Sequence, residues 1–214
     1  MTARLSSPKS AGREKMLVTG GAGFIGSNLV EELVRRGEDV RVADNFLTGR
    51  RENLAGVLDR IELVEADLSE FEAARAACQG VAVIFHLAAL PSVPVSMERP
   101  LDTTRHNVVA TANVLVAARD ASARRLVFSS SSSVYGGEGS CPQHEDSPPH
   151  PKSPYAAAKL CCEVYVRTFC EAFGMDAVCL RYFNVFGPRQ PLRGPYSAVF
   201  PAFITRMLAG EPPV

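Results

Sequence analysis

A glycine-rich turn near the start of the chain, at residues 20–26 (GGAGFIG), restricts the fold more than any other feature. A short apolar run at residues 16–18 precedes it, and a helical pattern over residues 24–36 follows. Glycines at this spacing permit a tight turn and let the backbone approach a pyrophosphate, whose charge the helix N-terminus attracts. The pattern predicts a strand–turn–helix unit that binds a dinucleotide, with a tight turn that has no ligand as the alternative.

Short apolar runs alternate with longer helical patterns along most of the chain. Ser153 and Pro154 are typical of a helix start, and Gly174 of a helix end. Strands that alternate with helices imply right-handed βαβ units, and therefore an α/β fold with a doubly wound, Rossmann-like parallel sheet. Its site should lie at the carboxyl ends of the strands. The predicted strands are 16–18, 40–43, 61–64, 81–87, 125–128 and 177–180, and the long helices are 24–36, 101–121 and 154–173.

Composition excludes several classes of partner. Lysine plus arginine and aspartate plus glutamate number 23 each, so no overall charge favours nucleic acid or an anionic membrane. No apolar run approaches the roughly 18–20 residues of a membrane span. The six cysteines lack C-x-x-C spacing, and the histidines and carboxylates do not cluster. We therefore predict reduced thiols, no metal site and a cytoplasmic location.

Asp44 indicates which dinucleotide is bound. It ends the second predicted strand, 18 positions after Gly26. A carboxylate there can bind both ribose hydroxyls and would repel a 2′-phosphate, which favours NAD over NADP. A loop aspartate without a ligand is the alternative.

Tyr155 and Lys159 are one helical turn apart, so the phenol and the ammonium lie on one face of the predicted helix. A cation beside a phenol favours the phenolate and lowers its pKa, so Tyr155 can accept a proton from an alcohol near neutral pH. Ser131, in the serine run after the fifth strand, carries a hydroxyl that can bond to the same alcohol. His86, at the end of the fourth strand, is predicted to be packed rather than catalytic.

Six motifs together resemble the extended short-chain dehydrogenase/reductases of the sugar-nucleotide epimerase/dehydratase group. Within that group the chain is most similar to 4-epimerases of UDP-glucose or UDP-N-acetylglucosamine. The matching stretches are TGGAGFIGSNLVE (19–31), DNFLTG (44–49), HLAAL (86–90), SSSSSVYGG (129–137), SPYAAAK (153–159) and RYFNVFGPRQ (181–190).

The resemblance implies a role for individual residues. Tyr155 would be the catalytic base and acid, Lys159 would bind the nicotinamide ribose and depress the tyrosine pKa, and Ser131 would align the sugar 4-hydroxyl. The implied NAD contacts are Gly20, Gly23, Phe24, Ile25, Gly26, Asp44, Asn45, Asp67, Leu68, Leu87, Ala88, Ala89, Asn107, Tyr155, Lys159 and Tyr182. The implied substrate contacts are Ser131, Ser132, Ser133, Tyr155 and Asn184.

The implied activity is NAD-dependent epimerisation at C4 of a UDP-hexose through a transient 4-keto sugar. Related dehydratases carry an Asp-Glu pair where this chain has Ser132 and Ser133, so the extra acid and base for water elimination are missing. The resemblance also implies a homodimer through the helices 101–121 and 154–173.

Family members are longer than 214 residues, so the resemblance implies that the substrate-binding lobe is mostly missing. The expected regions are a disordered tail (1–14), an NAD-binding domain (15–185) and the start of the lobe (186–214). A non-catalytic dinucleotide-binding domain is therefore the alternative function, and another epimerase or dehydratase of the same family is a second.

Overall fold

The computed structural model describes residues 14–137, 142–191 and 199–212, and within them six parallel strands form one sheet. The spatial order is β3-β2-β1-β4-β5-β6. The order reverses between β1 and β4, and a crevice at such a switch point is where parallel sheets bind ligands. The strands are β1 (Lys15–Thr19), β2 (Asp39–Asp44), β3 (Ile61–Glu65), β4 (Val83–His86), β5 (Arg125–Ser131) and β6 (Ala177–Tyr182).

Helices cover both faces of the sheet. The longest one begins and ends where the sequence predicts, because Ser153 Oγ accepts the Ala156 N–H at 3.1 Å and Gly174 adopts φ 66°. A π-helical segment, Thr104–Val109, joins two of the others. The helices are α1 (Phe24–Arg35), α2 (Phe71–Cys78), α3 (Val93–Glu98), α4 (Pro100–Thr103), α5 (Ala110–Asp120), α6 (Pro154–Phe173) and α7 (Val199–Leu208).

Two apolar clusters lie on opposite faces of the sheet, which confirms the doubly wound prediction. Neighbouring residues of β1 divide between them, because side chains alternate along a strand. Leu17 packs with Ile84 and Phe128 under α2, α5 and α6, whereas Val18 packs with Val30 of α1. These side chains are buried, and each stabilises the fold by about 1.5–3 kcal/mol.

The structure differs from the sequence prediction at several element ends. β5 continues through Ser129–Ser131 and β6 through Tyr182, because these residues pair with each other across the two strands. β4 is shorter than predicted, and the predicted helix 101–121 is interrupted by the π-helical segment. The short helices α2 and α3, and α7 near the end of the chain, were not predicted.

Some predictions fall outside the described residues. Of the predicted tail 1–14, only Glu14 is described, and its carboxylate pairs with Arg124 at 2.6 Å. Across residues 14–137, 142–191 and 199–212, every helix is too short or too polar to span a lipid bilayer. The same residues contain no group of three or more histidine, cysteine or acidic side chains that could hold a metal ion.

Candidate functional site

The glycine-rich turn connects β1 to α1 at the switch point. A Cβ atom on Gly20, which has φ +67°, would lie 2.7 Å from the Ala88 backbone nitrogen, and one on Gly26 would lie 2.2 Å from the Gly20 oxygen. Glycine is therefore required here by packing. No side chain caps the start of α1 and no acidic residue lies in its first turn, so the free N–H groups suit a pyrophosphate.

Asp44 ends β2 beside this turn and its carboxylate is buried. Its Oδ2 accepts the Ala22 N–H at 2.9 Å and its Oδ1 accepts the Phe46 N–H at 2.8 Å. Burial raises the pKa of Asp44, and these two hydrogen bonds oppose that rise. Each oxygen has a second lone pair, so the carboxylate can also accept from ribose hydroxyls. The neighbouring Asn45 accepts the Leu47 N–H at 3.1 Å and shapes the same loop.

The loop after β4 is anchored to β1 through Thr19. Its Oγ1 accepts the N–H groups of Leu87 and Ala88, each at 3.1 Å, so its own proton points to His86 Nδ1 at 2.7 Å. The other ring nitrogen, Nε2, then carries hydrogen and donates to Thr111 Oγ1 at 3.0 Å. Burial lowers the pKa of His86 to about 3, so the ring is neutral. This confirms that His86 is packed.

Asn107 holds the same loop from the other side. The residue lies in the π-helical segment and is buried; its Oδ1 accepts the Leu90 N–H at 3.0 Å and its Nδ2 donates to the Leu90 oxygen at 3.4 Å. Its own carbonyl accepts from Cys162 Sγ of α6 at 3.5 Å. Asn107 thus bonds to the loop backbone and positions that loop, and its contact with NAD stays a prediction.

Asp67, after β3, organises the loop that is predicted to face adenine. Its Oδ1 accepts from the backbone nitrogen of Ser69 at 3.0 Å and from its hydroxyl at 2.8 Å. Burial alone would raise the pKa of Asp67, but these bonds and the nearby His106 and Arg105 together outweigh it, and the pKa is lowered. Asn113 Nδ2 of α5 donates to the Leu68 oxygen at 3.0 Å, which holds the loop against the helix.

Lys159 lies under Tyr155 on the face of α6 that packs on β5. Its Nζ donates to the Ser129 oxygen at 2.8 Å and lies 5.9 Å from the centroid of the Tyr155 ring. Only 3% of the residue is exposed. Burial lowers the pKa of Lys159 to about 8, against the opposing effect of Cys162 and Glu163. The predicted juxtaposition of phenol and amine on one helix face is present.

The serine run reaches the same edge of the sheet. Ser131 is the last residue of β5, pairs with Tyr182, and accepts the Ser133 N–H at 3.2 Å through its Oγ. The Ser133 hydroxyl is buried and has no hydrogen-bond partner among the residues that the structure describes. Ser129 Oγ donates to the Tyr182 hydroxyl oxygen at 3.4 Å.

The remaining predicted residues fall on the loops around this edge, except that Phe24, Ile25 and Gly26 begin α1 and Ser132 begins the 3-10 helix Ser132–Tyr135. Asn184 is exposed in the segment that follows β6. Sequence reasoning missed Glu163, which is buried beside Ser130 and Arg181. Its position one turn after Lys159 was the available signal, because residues four apart share a helix face.

Comparison with known proteins agrees with this geometry. The model of the NAD dependent epimerase/dehydratase family matches residues 16–214. The UDP-glucose 4-epimerase of Mycolicibacterium smegmatis is 40% identical over 92% of this chain and 64% of that protein. A UDP-N-acetyl-alpha-D-glucosaminuronate decarboxylase of Bacillus cytotoxicus is 34% identical over 93% of this chain and 63% of that protein.

Solved structures give the same result. The UDP-N-acetylglucosamine 4-epimerase from Methanobrevibacter ruminantium has a TM-score of 0.87 and 40% identity over 93% of this chain and 64% of that one. The Thermus thermophilus UDP-glucose 4-epimerase in complex with NAD has a TM-score of 0.82 and 39% identity over 92% and 64%.

The chain spans just under two thirds of the length of these relatives. The Rossmann-like fold is confirmed, and so is NAD as the cofactor, since the family is NAD dependent and the Thermus thermophilus structure holds it. The chain belongs to the NAD dependent epimerase/dehydratase family.

Proposed function

We propose that the chain carries the NAD site and the acid–base residues of a sugar-nucleotide 4-epimerase. The substrate class is a UDP-hexose, either UDP-glucose and UDP-galactose or their N-acetyl forms. The observation that carries the proposal is that Lys159, which lies 5.9 Å from the centre of the Tyr155 ring, donates to the Ser129 oxygen near the carboxyl end of β5. Residues 15–185 would form the NAD-binding domain, and residues 186–214 would begin the substrate-binding lobe.

The residues at the switch point fit NAD. The uncapped start of α1 would hold the pyrophosphate, and Asp44 with Asn45 would hold the adenosine ribose. The loop at Asp67 would face adenine. On the other side, Leu87, Ala88 and Ala89 would line the nicotinamide half, and Tyr182 would approach the ring.

Acid–base chemistry would be the task of Tyr155. The bound NAD would supply the hydride acceptor and donor for C4 of the sugar. Tyr155 as phenolate would remove the proton from the 4-hydroxyl and later return it, while Ser131 holds that oxygen by a hydrogen bond. The Lys159 ammonium would stabilise the phenolate. A positioned acid–base residue of this kind contributes about 100- to 10,000-fold in rate.

Three alternatives remain distinguishable. Relatives include a decarboxylase and a dTDP-glucose 4,6-dehydratase from Streptomyces venezuelae. Ser132 and Ser133 offer no carboxylate for elimination, which favours simple epimerisation. A non-catalytic NAD-binding domain is the third alternative, because the chain spans only about 64% of its relatives.

We further propose that the protein is a cytoplasmic homodimer that pairs through α4, α5 and α6. Large apolar side chains are exposed on α4 and α6: Leu101 is 83% exposed and Val164 is 51% exposed. Exposed apolar groups of this size on neighbouring helices are typical of a protein–protein interface. The five described cysteines are free thiols, which fits a reducing compartment.

The direct test supplies the full chain with NAD and UDP-galactose and measures UDP-glucose by chromatography. Formation of UDP-glucose supports the proposal. NAD binding without any product supports the non-catalytic alternative, and loss of water from a dTDP-sugar supports the dehydratase. Absence of NAD binding contradicts the epimerase, the dehydratase and the non-catalytic NAD-binding domain alike.

A further inference from the structure

A buried acidic residue lies one helical turn beyond Lys159 and has no role in the chemistry described above. Glu163 is 4% exposed, and its Oε1 accepts the Ser130 hydroxyl at 2.5 Å and Arg181 Nε at 3.0 Å. Its Oε2 accepts Arg181 Nη2 at 2.8 Å. The carboxylate is therefore hydrogen-bonded by side chains from both β5 and β6.

The partners of Glu163 lie next to the candidate catalytic residues. Ser130 and Arg181 are direct neighbours in the β5–β6 register, one position before Ser131 and Tyr182. Ser129 accepts from Lys159. Three consecutive residues of β5 thus serve the site. Ser129 bonds Lys159, Ser130 bonds Glu163, and Ser131 carries the hydroxyl that is predicted to bind substrate.

Arg181 extends the same cluster to the segment that leads into α6. Its guanidinium carbon lies 4.7 Å from the centroid of the Tyr135 ring, and its Nη1 donates to the Glu145 oxygen at 3.3 Å. The cluster therefore joins α6, the ends of two strands and the segment before Tyr155.

We propose that Glu163, through its bonds to Ser130 and Arg181, is a positioning residue that sets α6 against the end of β5, so that Tyr155 and Lys159 face Ser131. Tyr155, Lys159 and Glu163 occur at intervals of four on one helix face, so their spacing along α6 is constant. The bonds that hold Glu163 in place therefore also fix the positions of Tyr155 and Lys159. This inference rests on the proposed function, which gives Tyr155 and Lys159 their roles.

A purely stabilising role is the competing explanation. Replacing a buried ion pair by apolar residues of similar volume is often neutral or stabilising, whereas removing one partner leaves a costly buried charge. The discriminating variant therefore removes all three polar partners together, as Ser130→Ala with Glu163→Leu and Arg181→Met. It leaves the net charge unchanged and preserves an apolar contact between the helix and the strands.

Charges around Lys159 must be accounted for in this test. Tyr155, Cys162 and Glu163 face it from α6, and His86 from β4, while Arg181 from β6 neutralises Glu163. The triple variant removes one negative and one positive group, so the net charge of this cluster is unchanged.

The experiment titrates the Tyr155 phenol in the full chain by ultraviolet difference spectroscopy, with Tyr155→Phe in each background as the reference. The NAD dissociation constant and the thermal unfolding midpoint are measured alongside. The control is Asp176→Asn, which breaks the two-bonded Arg125–Asp176 pair at the opposite end of β5.

We expect the triple variant to fold, to bind NAD about ten-fold more weakly, and to titrate Tyr155 at higher pH than the wild type, because the ammonium no longer lies under the phenol. The control should match the wild type in its NAD dissociation constant and in its Tyr155 titration. If the triple variant does not fold, Glu163→Gln with Arg181→Gln keeps the net charge and carries the same expectation.

An unchanged Tyr155 titration in a folded variant overturns the proposal, even if the unfolding midpoint falls. A wild-type chain that does not bind NAD, but in which the variant shifts the Tyr155 titration, refutes the proposed function and supports the positioning role. The two failures are therefore distinct.

Discussion

Lys159 Nζ donates to the backbone oxygen of Ser129 at 2.8 Å, which joins α6 to the carboxyl end of β5. Two residues further along the strand lies Ser131, and one turn back along the helix lies Tyr155. The candidate acid–base residues are therefore positioned by the pairing of one helix with one strand end.

Gly26→Ala should prevent NAD binding and lower stability. The new Cβ would lie 2.2 Å from the Gly20 oxygen, a backbone atom that cannot move without opening the turn. Overpacking of this kind costs about 1–3 kcal/mol. Urea unfolding and NAD calorimetry measure the two effects. Gly56→Ala is the control, because only Glu31 Oε1 lies near, at 3.8 Å. Equal stability of both variants would refute the close approach.

Asp44→Asn should weaken NAD binding and reduce the preference for NAD over NADP. An amide cannot accept from both Ala22 and Phe46, so the loop loosens, and the charge that repels a 2′-phosphate is lost. We expect NAD affinity to fall about ten-fold, as for loss of a hydrogen bond to a charged group. Parallel titrations with the two cofactors check this. Tighter binding of NADP than of NAD by the wild type would contradict the role of Asp44.

Lys159 should make stability rise with pH. Its pKa is lowered to about 8 by burial, from an ordinary 10.5, so between these values the unfolded chain binds more protons than the folded one. The penalty for burying the ammonium is complete below pH 8 and disappears above about pH 10.5. Relative to Lys159→Met, the wild type should gain about 3 kcal/mol across this window. Denaturant unfolding at both ends measures it, and a parallel pH dependence in both proteins would contradict the burial argument.

Much of the fold follows from local signals, and the site follows only in part. Ser153, Pro154 and Gly174 determine both ends of α6 by capping, which is a local effect and was predicted correctly. Ser129–Ser131 form strand because β6 pairs with them, and polarity alone gives no sign of that. The bonds of Thr19 to His86 and of Glu163 to Arg181 join residues distant in sequence, so only the folded chain reveals them.

Val164→Glu should dissociate the proposed dimer. Val164 is exposed on α6, and a charge in an apolar interface would have to lose its hydration without a partner. Light scattering should give a monomer for this variant and a dimer for the wild type. Leu47→Glu, at an exposed position after β2, is the control and should stay dimeric. A monomeric wild type would refute the interface.

The rate of UDP-glucose formation, measured after UDP-galactose is added to the full chain with NAD, tests the central claim most directly. We expect the wild type to form UDP-glucose with no net reduction of NAD, because the hydride returns to the sugar. The rate should be about 100- to 10,000-fold lower for Tyr155→Phe, with NAD binding largely intact. Equal rates from the two proteins, or no UDP-glucose from wild type that has bound NAD, would contradict the role of Tyr155.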